Sequence, residues 1–319
     1  PPGKGLGRTR AEEKMITRDP ATDANARTRS GPGPCTLTLL LTPALGLVAV
    51  LFGGGLVLGF LQSLGHLPAA GMKAYTLQHF QNILTDPDFL KSLGLTLYIS
   101  AVSTAVAGAL GISAALFLIG LQGPRRLVDF IFEIPLAVPH LVIATAVVFL
   151  LAPSGMISRM LQAAGLIDGA WRFPLLINDP WCIGIIVTYV WKEVPFITLM
   201  IMAVLKNTGT ELLLAARTLN ANRWQRFRYV VLPTIFPSLG AACLIVFAYT
   251  FGAFEVPYLM GQTYPMTLPV WAYRNYSDID LMARPEGIAT GLVIAGVIIA
   301  AIVFSQALTR MARRRGVII

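Results

Sequence analysis

Six apolar runs dominate the chain, near residues 37 to 61, 94 to 120, 127 to 152, 182 to 205, 236 to 261 and 286 to 309. A helix needs about 20 apolar residues to cross the hydrocarbon core, because lipid offers no partners for open backbone groups. Each run meets that length. The pattern therefore predicts an all-α polytopic membrane protein with six crossings. The first run is too long, and lacks the small-residue cleavage site, to read as a removable leader. Between the first two runs, Tyr75, Leu77, Phe80, Ile83 and Leu84 recur at helical spacing, which predicts an amphipathic helix lying on the membrane surface. Residues 154 to 170, with Met156, Ile157, Met160, Leu161 and Leu166 among polar residues and glycines, predict a second short helix on the same side.

Composition agrees with that pattern. Of the 319 residues, 55% are hydrophobic and 13% charged, with a mean hydropathy of +0.67; soluble domains carry about 25% charge. A soluble enzyme is excluded on that ground. Cys35, Cys182 and Cys243 stand far apart, so neither a disulfide framework nor a thiolate metal cluster is expected, and the three read as packing residues.

The net charge of +9 would suit nucleic acid if it were gathered on one surface, but the basic residues lie in blocks between apolar runs. Lys4, Arg8, Arg10, Lys14, Arg18, Arg27 and Arg29 precede the first run, Arg125 and Arg126 follow the second, Lys206, Arg217, Arg223, Arg226 and Arg228 follow the fourth, and Arg310, Arg313, Arg314 and Arg315 close the chain. The alternate loops hold only Lys73, Lys91, Arg159, Arg172, Arg274 and Arg284. Basic residues stay on the side of synthesis; this asymmetry predicts both termini in the cytoplasm, with no nucleic-acid partner. Residues 1–36, rich in Gly, Pro, Thr and Arg, predict a disordered basic cytoplasmic tail. Residues 37–311 form the membrane domain and 312–319 a C-terminal tail.

The segment 211 to 233 between the fourth and fifth runs reads as two short helices joined at Asn220. Residues 211 to 219 are good helix formers, and Asn accepts the left-handed turn that ends a helix. Asn222 then caps the second helix, and Pro233 interrupts the chain before the next crossing. This segment resembles the signature of permease subunits of binding-protein-dependent ABC importers: Glu-Ala-Ala, three residues, Gly, nine residues, Ile, one residue, Leu-Pro. Ala215 and Ala216 fall on the alanines, Val230 on the isoleucine, and Leu232 and Pro233 on the final pair, without a gap. Leu214 stands where the family has Glu, and Asn220 where it has Gly. Glu211, one turn before Leu214, is the nearest acid on the same face.

The resemblance covers about residues 70 to 310. Pro135, Pro139 and Val142 look like the family's proline-rich helix start, and Trp191-Lys192-Glu193-Val194-Pro195-Phe196 like the segment leading to its coupling loop. Residues Phe254 to Gly261 are similar to the fifth-span exit in permeases of the spermidine and putrescine group. The resemblance implies a type I permease bundle in a bacterial inner membrane, with the coupling loop at 206–235. The implied partners are a cytoplasmic ABC ATPase dimer, a second permease subunit, identical or related, and an extracytoplasmic solute-binding protein. Coupling to the ATPase would fall on Glu211, Leu213, Leu214, Ala215, Ala216, Arg217, Asn220, Arg223 and Trp224. The small alanines admit a partner backbone, and the leucines offer apolar surface to a groove.

No Gly-rich run ending in Gly-Lys-Ser or Gly-Lys-Thr occurs in the sequence, so ATP and Mg would be used by the partner ATPase and this chain binds no cofactor of its own. No zinc-protease or serine-hydrolase motif is present, and no catalytic residue is assigned. Ionisable residues inside apolar runs face a bundle interior or a wet cavity. Asp129 and Glu133 suit a positive helix start, or pairing with Arg125 or Arg126. Lys192 and Glu193, being adjacent, point to different sides of a helix and have an interhelical, gating or local role. Glu255 lies between Gly252 and Pro257, which suggests a bent helix with carbonyls facing a cavity. With Trp191, Tyr249 and Tyr258 it forms the candidate pathway, a carboxylate and aromatic faces that suit an amine or polyamine; aromatic residues at such depths also serve as interface anchors. Two other readings stay open: an ATP-independent transporter or channel, and a membrane-embedded enzyme acting on lipid-linked substrates.

Overall fold

The structure is a computed structural model that describes residues 34–120, 126–206 and 210–314. All regular structure among them is helical, and six helices are long and apolar enough to cross a membrane. The chain divides into two units, residues 1–57 and 58–319. In the first unit, α1 (Pro34–Val48) runs into a π-helical turn (Ala49–Gly53) with its large apolar side chains exposed. Its helix starts at Pro34, inside the stretch expected as a tail; the rest of that tail, and residues 315–319 at the other end, lie outside the described residues.

The second unit opens within α2 (Gly54–Ser63) and continues through α3 (Gln78–Thr85), α4 (Pro87–Gly120), α5 (Arg126–Ala137), α6 (His140–Leu151) and α7 (Met156–Ala163). It then runs through α8 (Ile183–Val204), α9 (Thr210–Thr218), α10 (Arg223–Arg226), α11 (Leu232–Gly252), α12 (Glu255–Met260), α13 (Leu268–Tyr276) and α14 (Arg284–Arg314). The two short helices expected outside the crossings form as α3 and α7. Of the five residues predicted to line the first, Phe80 and Ile83 pack inward, whereas Tyr75 precedes the helix and stacks on His66 at 5.0 Å.

Helix α8 is the axis of the bundle. More than half of its apolar window is buried, 56% against 17% for α14, and it packs on α4, α5, α6 and α11. Its contact with α4 is close because Gly111 has no side chain: a Cβ there would lie 2.8 Å from Ile197 Cγ2. Ile197 and Ile201 of α8 and Leu205 just past its end join Ala115 of α4 and Ile235 and Val246 of α11 in one core layer. Ile185 and Tyr189 join Ile99, Ile143 and Val256 in a second. Thr188 and Thr198 tie their hydroxyls to the carbonyls of Gly184 and Val194, so they enter the core without open donors.

Two crossings are discontinuous, the third where a single run was expected and the fifth where Gly252 and Pro257 suggested a bend. The third is broken between α5 and α6 at Val138 and Pro139. Proline forces its predecessor out of the α region and cannot donate to the carbonyl four residues back, here that of Pro135. The fifth stops at Gly252, Ala253 is extended, and the helix restarts at Glu255 as α12. Conversely, Pro233 does not interrupt its helix. It lies where the π turn Phe227–Val231, running on from α10, passes into α11, with Val231 and Leu232 helical ahead of it, so the proline is accommodated at a π turn rather than at a free helix start.

Candidate functional site

Two polar regions stand out from the apolar bundle: the loop ahead of the fifth crossing and a joint inside the third.

In the loop, α9 ends in a left-handed cap. Asn220 has φ +54°, its N–H donates to Arg217 O at 3.0 Å, and the N–H of Ala221 donates to Ala216 O at 3.1 Å. This pair of bonds closes a helix with a left-handed residue, a conformation Asn adopts at lower cost than other side chains. Asn222 then starts α10 with a reciprocal cap. Its Oδ1 accepts from Gln225 N at 2.8 Å, and Gln225 Oε1 accepts from Asn222 N at 2.9 Å. The two caps fix the angle between α9 and α10 without help from the bundle. Leu214 is 59% exposed and Trp224 67%, and Ala215, Arg217 and Arg223 are exposed with them. Ala216 differs: it is buried against its own chain, where α9 packs on the π turn. It is therefore closed to a partner, contrary to the expectation that both alanines admit one. Glu211 and Leu213 lie on α9, and nothing is described of their side chains.

At the joint, α8 meets both ends of the break. Lys192 Nζ donates to Pro135 O at 3.0 Å, to Leu136 O at 3.2 Å and to Val138 O. Those carbonyls belong to the end of α5 and the break itself, groups with no intrahelical donor, at the negative end of a helix dipole. The next residue does the converse. Glu193 Oε1 lies 3.2 Å from Nε2 of His140, the first residue of α6, so a carboxylate stands beside a positive helix end. Both charges are buried. Adjacent residues of opposite sign thus answer opposite ends of two half-helices, and the expected interhelical role of Lys192 and Glu193 takes this form. Pro195, three residues past Lys192 in α8, removes the bond that the Trp191 carbonyl would accept. Glu133, on α5, is exposed; its expected partner Arg125, and the side chains of Arg126 and Asp129, lie outside what is described.

The four candidate pathway residues do not form one cluster. Tyr249 packs its ring 4.5 Å from that of His140, and Glu255, the first residue of α12, is exposed. Trp191 lines an apolar groove of 530 Å³ with Val106, Leu110, Phe132 and Val187. Tyr258 stacks on Phe254 at 4.8 Å and meets Tyr273 edge-on at 5.8 Å, in the wall of a separate 540 Å³ cavity that Gln262, Arg274 and Asp278 also line. His140 and Tyr189 were absent from the sequence-based candidates. The adjacency of His140 to Pro139 at a helix break was the available signal. Tyr189 gave none, since a lone Tyr in an apolar run reads as packing.

A polytopic helical bundle with a discontinuous third crossing and an exposed, self-capped helical pair before the fifth defines the class: a membrane transport component. The family model described as "binding-protein-dependent transport system inner membrane component" matches residues 107–315, and the chain belongs to that family of ABC importer permeases. It is similar to the sulfate transport system permease protein CysT of Escherichia coli, 28% identical over 176 residues, 55% of this chain and 60% of that one. It is also similar to the spermidine/putrescine transport system permease protein PotB of Haemophilus influenzae, 27% identical over 187 residues, 58% of this chain and 63% of that one. The match spans about half to three fifths of the length of the first curated relatives. A crystal structure of a bacterial ABC transporter that imports the acidic polysaccharide alginate contains a chain with the same fold, at TM-score 0.73 and 22% identity over 86% of this chain and 95% of that one. These likenesses establish a type I permease fold and a multi-pass inner-membrane protein.

Proposed function

We propose that this chain is one membrane-spanning subunit of an ATP-driven importer, and that the loop 206–235 receives the motion of a cytoplasmic ATPase. In this reading it is not itself an enzyme: ATP and Mg are bound by an ATPase dimer, a second permease subunit completes the pathway, and an extracytoplasmic protein delivers the solute. Both termini and the coupling loop lie in the cytoplasm, as the arginine-rich loops require.

The observation that carries this reading is the exposed helical pair in register with the permease signature. Two local capping systems make it rigid, so a displacement applied at Leu214 and Trp224 passes through the π turn into α11 rather than being lost in a soft loop. Glu211, Leu213, Ala215, Arg217 and Arg223 complete the contact, while Ala216 and Asn220 set the geometry of α9. ATP-driven closure of the motors draws two such loops together and reverses the open side of the pathway.

The solute is small and polar, with a polyamine or a related compound favoured by the carboxylates and aromatic rings of the bundle. Affinity purification of the tagged chain from its native membranes tests the assignment. An ATPase should co-purify in stoichiometric amount and be lost with Leu214→Arg; solute accumulation against a gradient by the lone chain would refute the importer reading.

A further inference from the structure

We propose that the π turn Phe227–Val231 is a joint with two registers, that Pro233 is the positioning residue that holds it in the π form, and that the pull of the ATPase converts it to the α form, swinging the exposed helical pair about the axis of α11. This rests on the coupling reading above and names the device through which the motion acts.

The first observation is the bonding of the turn. Leu232 N–H donates to Phe227 O, five residues back, so the turn holds one residue more than an α-helix would. A single π turn within a helix is rare and concentrates at functional sites. Leu205 and Lys206, at the end of α8, are π-helical as well. On each side of the self-capped pair, the adjoining crossing ends in this rarer kind of turn.

The second is the cause of the π form. A proline within a helix clashes with the carbonyl four residues back and has no N–H to offer it. For Pro233 that carbonyl belongs to Tyr229, in the middle of the turn. An extra residue in the turn displaces the carbonyl from the ring. Pro233 therefore tips the balance towards the π register.

The third is what favours the other register. Phe227, Val231, Ile235 and Leu239 recur at every fourth position, and an α-helix through all of them would set them in one apolar stripe. Val231 and Ile235 are buried in the core layer, whereas Phe227 is only half-buried against it. In the π form Phe227 stands below Leu232 instead of Val231, off the stripe. Arg226, just ahead of the turn, has its Nε buried without a hydrogen-bond partner, a further cost of this register. One turn thus carries two opposed preferences, proline against α and the stripe against π, which is the condition for a two-state element that a partner can bias.

The moving side follows from packing. Ile235, Ala242 and Val246 fix α11 in the core, while the pair is exposed and joined to the turn through Ala216. Loss of the extra residue from the turn rotates the pair about α11 by one residue of an α-helix, about 100°.

The test uses the full chain with its co-purified ATPase in lipid nanodiscs, its own cysteines replaced by serine, and spin labels at Leu219→Cys, just past α9 and 82% exposed, and Ala241→Cys, on an exposed position of α11. Without nucleotide the labels should show one distance, and ATP with vanadate should add a second, shifted by about 5 Å or more, the pitch of a helical turn. Pro233→Ala should show the second distance without nucleotide. Deletion of Val230, which removes the extra residue and leaves both flanks in place, should show the first distance in both conditions. An unaltered protein with the same distance in both conditions, Pro233→Ala at the first distance, or a deletion variant that still shifts would each overturn the joint. Failure of an ATPase to co-purify strikes the importer assignment instead, and the comparison of Pro233→Ala with the unaltered chain, made without nucleotide, still decides the joint.

Discussion

The joint in the third crossing and the loop before the fifth are both polar features of an apolar chain, and they hold their polar groups in opposite ways. At the joint, Lys192 and Glu193 are buried and directed onto Pro135, Leu136, Val138 and His140. In the loop, the backbone is satisfied by its own caps while Leu214, Arg217, Arg223 and Trp224 stay exposed. Lipid forbids open backbone groups, so a broken helix within it must be completed by side chains of a neighbour. Water imposes no such demand, so the loop can be finished locally and leave its side chains for another protein. The contrast teaches that substitutions at the joint should act on folding, and those in the loop on partnership.

Lys192→Met should break that contrast most severely. It strands three carbonyls in the bundle at about 1–3 kcal/mol each, a large share of the roughly 5–15 kcal/mol that holds a typical domain folded. Expression and thermal melting in detergent should show little folded protein, with partial recovery in Lys192→Arg. Leu214→Arg is the opposite case. Stability should move by less than about 0.5 kcal/mol, as for surface changes elsewhere, while affinity for the ATPase falls by about 2 kcal/mol, the scale of a buried anchor. Co-purification yield and a melting curve read the two effects separately. Glu193→Gln keeps the geometry at His140 but removes the charge beside α6, an expected loss of about 1 kcal/mol, visible as a few degrees in melting temperature. The smallest effect belongs to Asn220→Gly. It relieves a left-handed φ of +54° and should stabilise α9 by no more than about 1 kcal/mol with ATPase binding intact. A marked loss of binding there would mean that the Asn220 side chain itself touches the partner.

Much of this was readable in advance where the rule is local. The six crossings follow from apolar length, and the end of α9 and the start of α10 follow from Asn220 and Asn222, because a cap needs only residues a few places away. Pro233 misled because a proline's effect depends on its surroundings: it follows a π turn that runs on from α10, and the helix continues through it into α11. Pro139 broke its helix because it lay mid-crossing. The separation of Trp191, Tyr249 and Tyr258 into three environments was not readable, since residues one helix face apart diverge by an amount set by packing against α4, α6 and α13.

The sequence by itself determined the solvent, the number of crossings, the basic loops and the register of the exposed helical pair, since each depends on composition or on contacts within one turn of helix. Only the tertiary structure decided that Lys192 would reach back more than fifty residues to the carbonyls around Pro135, that Glu193 would meet His140, and that Tyr189 would be buried with its hydroxyl open. Those outcomes depend on how α8 is rotated between α4 and α6. The pattern along a uniformly apolar helix leaves that rotation undefined, and packing at positions such as Gly111 supplies it.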